Sequence, residues 1–216
     1  MSLAPLVALV LAAICGLPLL ISHDRAVIAL LLSIVTFALL AWATRALHLD
    51  GLADTADALG SGKPAAAALE IARKSDIGPF GVISLIFTLL IQIAAVASLP
   101  EAREAYFAFV IAIVTSRVAL TWACTRIWPA ARPDGLGAVV AASVPSLIAV
   151  AWTIVAVALA WALVGSIGGV SVVLGILAGI VLLVIARRRL GGITGDVLGA
   201  TIEIATSATL VVLALL

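Results

Sequence analysis

The sequence predicts an all-α, polytopic transmembrane helix bundle of about seven spans, forming one integral membrane domain over residues 1–216. Three observations carry this. Apolar residues make up 65% of the chain and charged ones only 11%, against about 45–50% and 25% in soluble domains. The apolar residues gather in runs close to the ~20 residues a helix needs to cross a bilayer. The basic residues are sorted onto one set of connecting segments, as the positive-inside rule describes.

The apolar runs lie near 3–21, 26–44, 81–99, 106–125, 138–164, 169–186 and 197–216. No Lys or Arg precedes Leu3, so the first run lacks the charged start of a secretory signal and reads as a retained span. After the second run, residues 45–80 are polar and interrupted by Gly51, Gly60, Gly62 and Pro64. That stretch is too long and too patterned for an idle connector, and reads as a polar helical or re-entrant segment. Pro145 marks a point where the long fifth run is prone to break. Gly165, Gly168, Gly169, Gly175 and Gly179 read as close-packing positions between helices. Cys15 and Cys124 lie inside apolar runs and read as buried small residues, neither a disulfide framework nor a zinc site.

Arg45, Lys63, Arg73, Lys74, Arg126, Arg132 and Arg187 to Arg189 fall on one face, and only Arg25 and Arg103 on the other. The rule places the first face in the cytoplasm. Trp42, Trp122 and Trp128 lie near the same ends, where an interfacial belt belongs. Most acidic residues follow them; only Asp24, Glu101 and Glu104 lie opposite. Charge of both signs is therefore concentrated at one membrane boundary, which suits a charged substrate. The net charge of +1 excludes bulk attraction to nucleic acid.

Within that face, His48-Leu49-Asp50-Gly51-Leu52-Ala53-Asp54-Thr55-Ala56-Asp57 stands out. On a helix, Asp54 lies about 40° and Asp57 about 20° from Asp50, so the three carboxylates share one stripe. They repel one another and need a compensating cation; hard oxygen donors point to Mg²⁺, with Mn²⁺ as the alternative. His48 falls on the other side of the helix, where it would cap or contact substrate. Asp196 and Glu203, seven apart, make a second acidic stripe with Gly199 and Ala200 between them. The lead-in through Gly192, Thr194 and Gly195 presents backbone N–H groups at a helix start, where anions bind. Arg117 sits inside a span, about eight residues or ~12 Å from its end. It is expected to face the interior and meet the phosphate oxygens of a diphosphate. Arg132-Pro133-Asp134 forms a rigid turn carrying both charge signs. Jointly these groups fit transfer chemistry on a diphosphate: a dication neutralises phosphate oxygens, arginine stabilises developing charge, and a carboxylate takes the proton of an attacking hydroxyl.

These motifs, with Ile77-Gly78-Pro79-Phe80-Gly81, Arg132-Pro133-Asp134-Gly135-Leu136-Gly137 and Gly192-Ile193-Thr194-Gly195-Asp196-Val197-Leu198-Gly199-Ala200, resemble the cobalamin synthase family, also called adenosylcobinamide-GDP ribazoletransferases. They occur in the family's order from about residue 45 onward. The resemblance implies a multi-pass enzyme of the prokaryotic inner membrane with its site facing the cytoplasm. It implies Mg²⁺ and two substrates: adenosylcobinamide-GDP, and α-ribazole or its 5′-phosphate. A ribose hydroxyl of the second attacks the cobinamide-bearing phosphate of the first, and GMP leaves. On that reading Asp50, Asp54, Asp57, Asp196 and Glu203 hold metal, and Asp57, His48 and Arg117 are catalytic. Asp76, Gly78, Arg132, Asp134, Gly192, Thr194 and Gly195 contact substrate. Lys74-Ser75-Asp76 exchanges the charges the family commonly carries there. The bilayer is the other expected partner, and a homo-oligomer is compatible with the sequence.

Three other readings share some of these features. A CDP-alcohol phosphotransferase expects an Ala-Arg after its Asp-Gly pair, where this chain has Leu52-Ala53-Asp54. A membrane prenyltransferase expects a second aspartate-rich motif, and residues 187–203 supply only Asp196 and Glu203. A cation transporter would place its charges near mid-membrane, often in two symmetric halves, and no such repeat is evident.

Overall fold

In a computed structural model, residues 1–22, 25–74 and 76–215 are described. Asp24, and Leu216 at the end of the last expected span, lie outside them. Among the described residues ten α-helices follow one another: α1 (Ala4–Cys15), α2 (Ala26–Ala43), α3 (Leu47–Gly60), α4 (Ala65–Ile71), α5 (Pro79–Ala97), α6 (Ala102–Ala123), α7 (Gly135–Val140), α8 (Ser146–Val164), α9 (Ser166–Leu190) and α10 (Gly195–Leu215). Six of them, α2, α5, α6, α8, α9 and α10, are long and apolar enough to cross a membrane. The chain is a polytopic membrane bundle.

The helices depart from the expected apolar runs in three places. The first run divides into α1, of 12 residues, and a 3-10 turn at Leu17–Leu20, so the helix alone covers only ~18 Å. The run at 138–164 divides where Pro145 stands: α7 ends at Val140 and α8 starts at Ser146, one residue after the proline. Finally, α9 runs past residue 186 through all three arginines to Leu190, and stops at Gly191, whose φ of +90° only glycine adopts readily.

The polar stretch is helical, as expected: α3 and α4 are joined through Gly62 and Pro64. A sharp reversal leads into it, with Arg45 and Ala46 both at φ 55°. The centre of the bundle is α6, which packs on α1, α8, α9 and α10 and is buried along most of its length. By contrast, α8 leaves Leu147, Ile154, Leu159 and Trp161 exposed, a surface for lipid. One buried apolar cluster joins Leu120, Ala123, Leu183, Ile193 and Val197 near the polar end. Another surrounds Phe109, whose ring meets Phe37 edge-on at 5.4 Å.

Candidate active site

The site is built on the crossing of α3 and α10. A Cβ at Gly51 would lie 2.8 Å from the Asp196 carbonyl oxygen, and one at Gly199 would lie 3.0 Å from that of His48. The two backbones therefore touch, and only glycine at both positions allows it. Asp50 and Asp54 flank Gly51, and Asp196 starts α10 one turn before Gly199. Burial, together with the neighbouring charges of Asp50, Asp196 and Asp57, pushes the Asp54 carboxyl up to about 6.

Thr194 organises the start of α10: its Oγ1 accepts from the Val197 N–H at 3.2 Å and donates to Asp196 Oδ2 at 3.1 Å. Arg132 NH2 stands 3.6 Å from the same Asp196 oxygen, while its NH1 is buried without a partner. The Arg132 segment is held there by backbone pairing: Ala131 N–H donates to Ile193 O, and Ile193 N–H to Pro129 O, both at 2.9 Å. A cavity of about 480 Å³ opens between these elements. Its polar lining includes Asp50, Asp134, Asp196, Arg117, Arg132 and His48; Leu47, Leu120, Leu136, Ile193, Leu198 and Ile202 supply apolar wall.

The expected residues sort into three groups. Asp50, Arg117, Arg132, Asp134, Thr194, Gly195 and Asp196 line the cavity, and Asp54 adjoins them electrostatically. Asp134 is exposed at the mouth, where it pairs with Arg73 at 2.6 Å. His48 lines the wall with its ring engaged on both edges, Nε2 with Thr44 Oγ1 at 2.8 Å and Nδ1 with Glu203 Oε1.

A second group is occupied elsewhere. Asp57, expected with the other carboxylates as ligand and catalyst, is buried and accepts the N–H groups of Gly78 at 2.7 Å and Gly81 at 2.9 Å. It caps the start of α5, because the family-like Gly78 and Gly81 leave no Cβ to keep it out. Gly78 thus serves Asp57. Glu203, expected as a ligand, is 3% exposed and held by His48 on one oxygen and Gln92 Nε2 at 2.7 Å on the other. Gly192 lies against the Pro129 carbonyl, where a side chain would collide, so it serves backbone pairing. The last group is Asp76 alone, exposed and away from the cavity lining.

Among the described residues, no three His, Cys, Asp or Glu groups converge tightly enough to hold an ion by themselves. Asp50 and Asp196 nonetheless lie close enough for their charges to act on Asp54, although Asp196 Oδ2 is already engaged by Thr194 and Arg132. Sequence reasoning missed Thr44 and Gln92. Gln92, the lone amide of the largely apolar α5, is a polar group at membrane depth, and its cost was the available signal.

The family model described as CobS, cobalamin-5-phosphate synthase, matches residues 1–214. A Frankia casuarinae protein named adenosylcobinamide-GDP ribazoletransferase is 40% identical over 235 residues, covering 100% of this chain and 84% of its own. A relative of the same name from a Nocardioides species is 39% identical over 97% of this chain and 84% of its own. Another from Rhizobium etli is 39% identical over 86% and 74%. No solved structure matches the chain.

Proposed function

The chain belongs to the CobS, cobalamin-5-phosphate synthase, family, and from that premise we propose that it is an adenosylcobinamide-GDP ribazoletransferase completing cobalamin assembly. It joins the cobinamide-bearing phosphate of adenosylcobinamide-GDP to a ribose hydroxyl of α-ribazole or its 5′-phosphate. The new P–O bond forms as the phosphoanhydride bond breaks; the hydroxyl proton passes to a rim carboxylate and GMP departs with the electron pair.

The observation that carries this reading is the α3–α10 crossing, which sets Asp50 and Asp54 against Asp196 at the mouth of a nucleotide-sized cavity. An Asp54 carboxyl whose proton affinity is raised by burial and by neighbouring carboxylates marks a donor set in need of a cation, and Asp50, Asp54 and Asp196 fit Mg²⁺ or Mn²⁺. Bound there, the ion supplies charge neutralisation to the diphosphate oxygens. Arg132, with an unpartnered buried N–H group beside Asp196, orients the diphosphate. Thr194 keeps Asp196 turned towards the cavity, and Asp134 with Arg73 fixes the loop at its mouth. Glu203 and Gln92 hold the His48 ring in the cavity wall. The enzyme sits in the prokaryotic inner membrane with this mouth on the cytoplasmic side, where nine basic residues gather.

Detergent-solubilised protein given adenosylcobinamide-GDP, α-ribazole and Mg²⁺ is expected to release GMP. Asp50→Ala and Asp54→Ala are expected to lose at least ~100-fold of that rate while still inserting into the membrane. Absence of GMP from the unaltered protein would overturn the function; full activity in either variant would overturn the metal assignment.

A further inference from the structure

Resting on that reading, we infer that Arg117 is the residue that recognises the acceptor's 5′-phosphate, in a phosphomonoester subsite at the buried end of the cavity. Arg117 is 8% exposed and lines the cavity, six residues before the end of α6. The one hydrogen bond of its guanidinium among the described residues runs from NH1 to the adjoining Ser116 Oγ at 2.9 Å. No carboxylate comes within ion-pair distance of it among them: Glu203, whose charge acts on it from farther off, is taken by His48 and Gln92, and Asp196 by Arg132. A guanidinium at this depth is costly unless an anion meets it, and its planar fork suits phosphate oxygens.

The rest of the cavity indicates which anion. Asp50 is exposed and Asp196 and Arg132 are partly exposed, so the metal-binding rim and its diphosphate belong at the mouth. Arg117 is far more buried than any of them. Its burial behind that rim assigns Arg117 to the second substrate rather than to the donor diphosphate. About 480 Å³ holds one nucleotide-sized body, not a corrinoid. Leu120, Leu198 and Ile202 line the wall on the faces of α6 and α10. That wall suits an apolar benzimidazole better than guanine, whose hydrogen-bonding edge would find no partners there. The acceptor's phosphate lies on Arg117, its base on this wall, and its ribose hydroxyl towards the rim.

The test is GMP release with α-ribazole or its 5′-phosphate as acceptor, donor and Mg²⁺ held saturating. The readout is the ratio of kcat/KM for the phosphorylated over the unphosphorylated acceptor, which is independent of the fraction of folded enzyme. Arg117→Gln is expected to lower that ratio at least tenfold, with Arg117→Lys intermediate. An unchanged ratio overturns the assignment, as does a rise confined to the donor KM when the donor is varied at saturating acceptor. Should Arg117→Gln be inactive, inorganic phosphate decides with the unaltered enzyme. Inhibition competitive with α-ribazole 5′-phosphate supports the subsite, and inhibition competitive with the donor alone refutes it. Failure of the unaltered enzyme to release GMP with either acceptor would instead remove the functional reading.

Discussion

Asp54 and Asp57 lie on one stripe of α3 yet have opposite electrostatic situations. Asp54 faces other carboxylates and its carboxyl is pushed up to about 6, chiefly by burial and then by Asp50, Asp196 and Asp57. An acid raised above its unfolded value binds its proton more tightly when folded. With metal chelated, stability should therefore rise as pH falls from 7 through 6 towards the ordinary aspartate value. Asp54→Asn should flatten that slope, and saturating Mg²⁺ should remove it. Asp57 instead satisfies two backbone N–H groups, and Asp57→Ala leaves both without an acceptor. A loss of about 1–3 kcal/mol is expected, seen as a lower Tm at every pH. Thermal unfolding in detergent across pH 4.5–7.5 measures both. A flat profile in the unaltered protein, or an unshifted Tm in Asp57→Ala, would reject the respective role.

At the scale of elements, the close approach of α3 to α10 does the assembling. The acidic stripes are legible in the sequence because each lies on one helix, where a 100° turn per residue fixes relative direction. Their meeting is not, since it depends on two glycines 148 positions apart, Gly51 and Gly199, finding each other. A Cβ at Gly51 must displace the Asp196 backbone, which no side-chain rotation relieves. Gly51→Ala is expected to raise the Mg²⁺ concentration for half-maximal GMP release by at least ~10-fold, since the donors on α3 and α10 part. An unchanged Mg²⁺ requirement would show that the contact does not set the metal site. The same limit explains Asp57 and Glu203. Helical periodicity aligned each with its stripe, but their partners come from other helices, which periodicity within one helix cannot supply. These are Gly78 and Gly81 at the start of α5 for Asp57, and Gln92 of α5 with His48 of α3 for Glu203.

Across the whole molecule, charge sidedness and helix order lead to one topological expectation. Gly62, in the α3–α4 connection, and Pro133, in the loop before α7, share a face with Arg187 to Arg189, opposite Arg103. Single cysteines at 62 and 133 should react with a membrane-impermeant thiol reagent in inside-out vesicles, and one at 103 in right-side-out vesicles. Cys15 and Cys124 are buried, so background labelling should be low. Labelling of 62 and 133 from opposite sides would break the single-mouth arrangement on which the site depends.

Composition and periodicity alone determined that this chain is a helical membrane bundle, that its charges gather at one boundary, and which carboxylates share a helical face. These properties are local or additive along the chain: transfer of apolar length into lipid, and a fixed rotation per residue. Tertiary structure decided which carboxylates face the cavity. Asp57 went to the start of α5 and Glu203 to His48 and Gln92, leaving Asp50 and Asp196 in the cavity lining, Asp54 beside them, and Arg117 buried in the same cavity. That choice could not be read from spacing, because a buried polar group is satisfied by whatever partner the packing brings within about 3 Å, however distant in sequence.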